Sequence, residues 1–262
     1  MENSISERIV PNEIPYSLWQ EHINRYAFAA EFVRAKNVLD VACGTGYGSA
    51  YLAESGAKEV VGGDISKEAI TYALKNTRSD NLSFVLLNAA KLPFPNCTFD
   101  VITSFETIEH LERCRIFLAE CKRTIKNGGF LVCSTPNKKR SSPHTKPLNP
   151  FHVREFYPME YYRLLTSYFS DVTLYGQHFF SLKQRIRSKI LGIGGKVISV
   201  VPEGNRIKAF INKSITCPSP NMSKIGTENS SGILDTKYSV VPFQDSIFKI
   251  PSYIIAVTKK SK

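Results

Sequence analysis

The 262-residue chain is long enough for one large α/β domain with an elaboration. Apolar residues at 42% and charged residues at 22% are ordinary globular values, which exclude a disordered or fibrous chain. The net charge of +11 is unevenly placed, because residues 1–182 carry 20 Lys+Arg against 19 Asp+Glu whereas residues 183–262 carry 14 against 4. No apolar run approaches the roughly 20 residues of a membrane-spanning helix, and the opening MENSISERIV lacks the basic-then-apolar order of a signal peptide. The expectation is a cytoplasmic protein, at most peripheral to a membrane. The six cysteines form no CxxC pair and mostly sit in apolar stretches, which predicts reduced, packed thiols and neither a disulfide framework nor a zinc site.

In chain order, residues 16–34 read as a helix from the spacing of their apolar positions. NVLDVAC begins a buried strand, and the turn GTGYG leads into a helix over about 49–55. KEVVGGD is a second strand ending at Asp64. SKEAITYALKN is a helix capped by Ser66, and LSFVLLNA a third strand. FDVITSF is a fourth strand, ERCRIFLAECKRTIK a helix stopped by Asn127-Gly128-Gly129, and FLVCSTPN a fifth strand. PMEYYRLLTSYF follows as a helix, DVTLYGQ as a sixth strand, and YIIAVTKK as the last. The alternation of strand and helix predicts a mostly parallel, seven-stranded sheet with right-handed crossovers. The expected division is a core over 1–181, a basic insert over 182–250 between the last two strands, and the final core strand over 251–262. Within the insert, 182–200 has a weak helical pattern and 216–232 is rich in Pro, Ser, Asn and Gly, the composition of a loop.

A Gly-rich turn between strand and helix lets backbone N–H groups approach a ligand closely. Here it has context: Asp40-Val41-Ala42-Cys43-Gly44-Thr45-Gly46-Tyr47-Gly48 is followed by a strand that ends in Asp64, where nucleotide-binding α/β folds hold a ribose diol. A nicotinamide or flavin dehydrogenase is the obvious competitor. Against it, the turn reads G-T-G-Y-G rather than G-x-G-x-x-G, and Asp40 precedes the first glycine by four residues. The combination D-x-A-C-G-T-G resembles the signature of class I S-adenosylmethionine-dependent methyltransferases, and Leu92-Pro93-Phe94 and Phe99-Asp100-Val101-Ile102 match later motifs of that family in order and spacing. The resemblance covers about residues 20–180 and implies a Rossmann-like fold with S-adenosyl-L-methionine as cofactor. It assigns Asp40, Ala42 and the loop Gly44, Thr45, Gly46, Tyr47, Gly48 to the cofactor's amino acid end, Asp64 to its ribose, and Ile65 to one adenine face. Asn88 stands where the family has an acidic partner for the adenine amino group, with Ala89 beside it; an Asn carbonyl can accept the same bond.

The family's acceptor sits beside the loop after the fourth strand, here Ser104-Phe105-Glu106-Thr107-Ile108-Glu109-His110. If that loop turns into a helix, Glu106, Glu109 and His110 share one face at i, i+3 and i+4. The plain alternative is an exposed first turn whose acidic residues suit the helix dipole. The run E-x-x-E-H, with Thr135-Pro136-Asn137 and Phe151-His152-Val153-Arg154-Glu155-Phe156 downstream, is similar to ubiquinone-pathway O-methyltransferases and to small-RNA 2′-O-methyltransferases. The second group implies a divalent cation held by Glu106, Glu109, His110 and His152. Glu106, His110 and His152 are the expected catalytic residues, since a hydroxyl must lose its proton to attack a methyl group and either a base or a cation assists that loss. A metal-free use of the same residues stays open.

His22-Ile23-Asn24-Arg25-Tyr26 together with N-P-F-H-V-R-E-F looks like a group of methyltransferases associated with surface polysaccharide. A sugar or glycan hydroxyl is therefore the expected acceptor, with an RNA 2′-hydroxyl or a quinone-type aromatic as alternatives. A cofactor-binding scaffold without turnover is the non-enzyme alternative. His22, His144 and His178 show no role in the sequence. The alternation of basic and apolar residues from Leu182 to Leu191 predicts an amphipathic surface that recruits an anionic membrane or nucleic acid.

Overall fold

The computed structural model describes residues 14–177, 238, 240–243 and 250–261. Among them, strands β1 (Asn37–Val41), β2 (Glu59–Asp64), β3 (Leu82–Leu86), β4 (Phe99–Ser104), β5 (Ile125–Pro136), β6 (Asp171–Gln177), β7 (Val240–Pro242) and β8 (Tyr253–Lys259) join in one sheet of order β3-β2-β1-β4-β5-β8-β6-β7. The five strands β1 to β5 are parallel neighbours, while β8 runs antiparallel between β5 and β6. The eighth strand, β7, is a three-residue edge on β6 that the sequence pattern did not predict; it lies inside the stretch expected as insert. Most of that insert, including the amphipathic run at 182–191, falls outside the described residues.

Helices α1 (Tyr16–Ala30), α2 (Tyr47–Glu54), α3 (Lys67–Asn76), α4 (Cys114–Thr124), α5 (Lys138–Ser141) and α6 (Pro158–Thr166), with a 3-10 turn at Ile108–His110, complete the described elements. Ser66 caps α3 through its hydroxyl, which accepts from the Ala69 N–H at 3.2 Å, as the sequence predicts. The end of α4 differs from expectation. The helix stops at Thr124, and Asn127-Gly128-Gly129 lies within β5, where Gly128 takes φ +79° at an irregularity in the pairing with β4.

Both faces of the sheet are covered, and single strands alternate between two cores. Leu39, Ile102, Leu131 and Ile254 pack on the side of α4 and α6, with Phe117, Leu118, Tyr161 and Leu165. Val38, Val101, Val132 and Ile255 pack on the other side with Ile23, Tyr26, Tyr51 and Leu52 of α1 and α2. Continuous apolar strands of this kind are what a two-sided parallel sheet requires. The carboxyl ends of β1, β2, β4 and β5 then open on one edge, where such sheets bind ligands.

Candidate active site

A cavity of about 1160 Å³ lies at that edge. On one side it is walled by the turn after β1. Gly46 takes φ +83° and begins α2, and a side chain there would run into Phe84 and Ala73 at 2.7–2.8 Å. At Gly48 a Cβ would lie 1.9 Å from the Tyr26 ring, so helix α2 can approach α1 only because this residue is glycine. Ala42 and Gly44 also take positive φ, 60° and 56°. The Asp64 carboxylate braces the turn: Oδ2 accepts from the Gly44 N–H and Oδ1 from the Ser66 N–H, both at 2.9 Å. Ile65 follows with 71% of its surface exposed, an apolar plate at the rim.

Of the residues the family resemblance assigned to the cofactor, Ala42, Gly44, Tyr47, Asp64 and Ile65 line this cavity, whereas Asp40, Thr45, Gly46, Gly48, Asn88 and Ala89 do not. Asp40 is fully buried beneath the turn. Its carboxylate accepts from Ser49 Oγ at 2.7 Å, Thr103 Oγ1 at 2.8 Å and Tyr26 Oη at 3.2 Å, tying α2, β4 and α1 to β1. Burial pushes its carboxyl up to about 6 against the pull of those three hydroxyls. Asn88 is exposed and lies beyond the end of β3; its side-chain oxygen accepts from the Ala90 N–H at 2.8 Å in a local turn.

The opposite wall corrects one expectation. Glu106, Glu109 and His110 do not share a helical face, because Glu106 sits at φ +52° and only Ile108–His110 form a short 3-10 turn. Glu106 turns instead toward β5, accepting from Ser134 Oγ at 2.6 Å. Glu109, His110 and His152 do come together, with one ligand atom from each within 4.8 Å of the others; Glu106 is outside this group. Two backbone bonds, from the Val153 and Arg154 N–H groups to the Glu109 carbonyl at 2.9 and 3.1 Å, bring the His152 segment alongside.

Each imidazole in the group is oriented through Nδ1. His110 Nδ1 lies 3.0 Å from the Phe151 carbonyl, which can only accept, so Nδ1 donates there and fixes the ring. His152 Nδ1 lies 2.8 Å from Glu155 Oε1. Burial works to raise the Glu155 carboxyl, but hydrogen bonds from Ser141 (2.5 Å), Ser142 and His152 outweigh it and hold this group below the usual carboxylate range. His152 therefore donates from Nδ1, and its Nε2 accepts from Asn149 Nδ2 at 3.1 Å. An imidazole anchored through Nδ1 turns Nε2 toward a metal or a proton; His152 would exchange its Asn149 bond for that role. Glu109 is fully buried; Thr135 Oγ1 donates to its Oε2 at 3.1 Å, and its Oε1 has no hydrogen-bond partner. Burial first, and then the charge of Glu106, raise its carboxyl well above the ordinary value. An orphaned buried carboxylate oxygen beside two imidazole nitrogens fits a divalent cation.

His22, without a role in the sequence reading, belongs to the same cavity. Its Nδ1 shares a 3.0 Å hydrogen bond with Tyr47 Oη, and burial, reinforced by Arg25, lowers its pKa well below the usual histidine range. Arg25 is fully buried, donates to Gln177 Oε1 at 2.6 Å and stacks 4.4 Å above the Tyr253 ring, which also lines the cavity. Nothing in the run H-x-x-R-Y signals this burial, because the partners of Arg25 and His22 come from β6, β8 and α2.

Residues 39–133 match the family model described as a methyltransferase domain. A probable S-adenosylmethionine-dependent methyltransferase of Mycobacterium tuberculosis strain H37Rv is 34% identical over 173 residues, which are 65% of this chain and 62% of the relative. A fatty-acid O-methyltransferase of Mycolicibacterium smegmatis is 30% identical over 141 residues, 51% of each chain. The chain thus spans less than two thirds of the length of these curated relatives. The crystal structure of an S-adenosylmethionine-dependent methyltransferase from Thermotoga maritima superposes with a TM-score of 0.54 at 14% identity, covering 94% of this chain and 95% of that one, a likeness of fold.

Proposed function

We propose, on the premise that this chain carries a class I S-adenosylmethionine-dependent methyltransferase domain, that it methylates a hydroxyl oxygen of a sugar or glycan intermediate. The observation that carries the reading is the convergence of Glu109, His110 and His152 on the wall facing the glycine turn and Asp64, across one cavity. S-adenosylmethionine supplies an electrophilic methyl group on a sulfonium sulfur. The glycine turn, the Asp64 carboxylate and the exposed Ile65 plate suit its three parts: close backbone approach for the amino acid end, an acceptor for ribose hydroxyls, and an apolar face for adenine. Holding acceptor and methyl donor in line accounts for much of the acceleration such a site can give.

As the acceptor oxygen bonds to the methyl carbon, the carbon–sulfur bond breaks, the sulfonium becomes a thioether, and the hydroxyl proton must leave. In the absence of a cation, His110, oriented by the bond between its Nδ1 and the Phe151 carbonyl, would be the group to take that proton. Glu109, His110 and His152 would hold a divalent cation, which would acidify and orient the hydroxyl. Vicinal sugar hydroxyls suit a cation with open positions. Transfer to oxygen is also the activity for which the fatty-acid O-methyltransferase relative is named.

The test is transfer of radiolabelled methyl groups to sugar nucleotides and glycans, catechols and RNA, before and after exhaustive chelation. Labelled glycan is expected, lost on chelation and restored by Mn²⁺ or Mg²⁺. Full activity after chelation together with its loss in His110→Ala would assign the proton to a metal-free histidine. Label in RNA or catechol alone would overturn the glycan acceptor.

A further inference from the structure

We infer that the mouth of the cavity, built by residues 138–154, docks on an anionic lipid surface. Three apolar side chains stand out from this segment: Leu148 is 74% exposed, Val153 54% and Phe151 50%. Leu148 and Phe151 also line the cavity, so the apolar rim and the Glu109, His110 and His152 group share one opening. The rim is held in place rather than loosely draped. The Phe151 N–H donates to Asn149 Oδ1 at 3.0 Å, the His152 N–H to the Asn149 carbonyl at 3.1 Å, and the Val153 and Arg154 N–H groups to the Glu109 carbonyl. A segment fixed this firmly has the means to bury its apolar side chains, and leaves them in solvent at the mouth of the site. Exposed apolar groups gathered in one fixed segment in this way mark a contact surface.

Charge identifies the partner. Lys138, Lys139, Arg140, Lys146 and Arg154 lie in the same segment, which contains no Asp or Glu. Arg140, Lys146 and Arg154 are exposed. Exposed basic side chains in the same segment as protruding apolar ones match a bilayer with anionic headgroups, where the apolar groups enter the acyl boundary and the cations stay at the headgroup level. A single-stranded nucleic acid would ask instead for a row of aromatic faces; Leu148 and Val153 offer none. The docking stands without the methyl-transfer reading. Its consequence rests on that reading: a sugar carried on an anionic lipid would enter the cavity directly from the surface.

Flotation of the full chain with phosphatidylcholine vesicles, with and without phosphatidylglycerol, tests this. Binding is expected to the anionic vesicles, to weaken with salt, and to fall at least about tenfold in Leu148→Ser/Val153→Ser. Lys146→Ala, on an exposed loop position, should weaken it about fivefold and keeps the test valid if the double variant misfolds. Equal binding to neutral vesicles, undiminished binding by Lys146→Ala and the double variant, or preference for single-stranded RNA in competition would overturn the inference. Vesicle binding requires neither cofactor nor turnover, so a protein that floats but labels no glycan loses the proposed acceptor and keeps the docking surface.

Discussion

The two walls of the cavity are made in different ways. The cofactor wall is one continuous stretch, in which the turn after β1, helix α2 and the end of β2 follow one another within residues 37–66 and are braced by Asp64 and Asp40. The acceptor wall is gathered from distant segments: Glu106 is tied to Ser134 of β5, His110 to the Phe151 carbonyl, and His152 to Glu155, itself held by Ser141 and Ser142 beside α5. A wall built from local backbone conformation tolerates little change in side-chain volume, although Asp40 still ties it to Thr103 of β4. A wall built from long-range hydrogen bonds depends on second partners that touch neither substrate.

Three experiments would break or sharpen that contrast. The largest effect is expected at Gly48, where a methyl group meets the Tyr26 ring at 1.9 Å. That ring is pinned between Phe105, edge-on at 4.9 Å, and the Asp40 carboxylate, so it cannot withdraw. Gly48→Ala should lose about 3 kcal/mol of stability, an overpacking penalty, and lower the melting temperature by roughly 10 °C. An unchanged melting curve would mean that the cofactor wall is less rigid than its geometry implies.

Next, Asp64→Ala should weaken S-adenosylmethionine binding by about 2 kcal/mol, or roughly thirtyfold, because the ribose loses a charged acceptor and the Gly44 N–H loses its brace. Calorimetry on the folded variant with undiminished affinity would remove Asp64 from the cofactor site. The smallest effect is expected on the other wall. Glu155→Gln should reduce Mn²⁺ affinity about tenfold by freeing the orientation of His152, while leaving cofactor affinity unchanged. Equal losses of both would show that the two walls are not independent.

What was legible in the sequence follows the same division. The strand–turn–helix around Gly44, Gly46 and Gly48, the Ser66 cap and the acidic end of β2 were readable because glycine conformation, capping and strand periodicity are local properties. The sequence alone thus determined the Rossmann-like α/β fold, the order of its strands other than β7, and the place of the glycine turn. It did not determine that Asp40 would be an internal tie, because its three hydroxyl partners come from Tyr26, Ser49 and Thr103 on separate elements. Nor did it determine the composition of the acceptor cluster. Spacing put Glu106 on a helical face with Glu109 and His110, but a left-handed residue at 106 and the bond to Ser134 turned it away. His22 and Arg25 acquired their surroundings only when α1 packed against α2, β6 and β8. These contacts join residues from 9 to more than a hundred positions apart on separate elements, and no periodicity encodes them. The parallel sheet, by bringing the carboxyl ends of its strands to one edge, decided which side chains meet there.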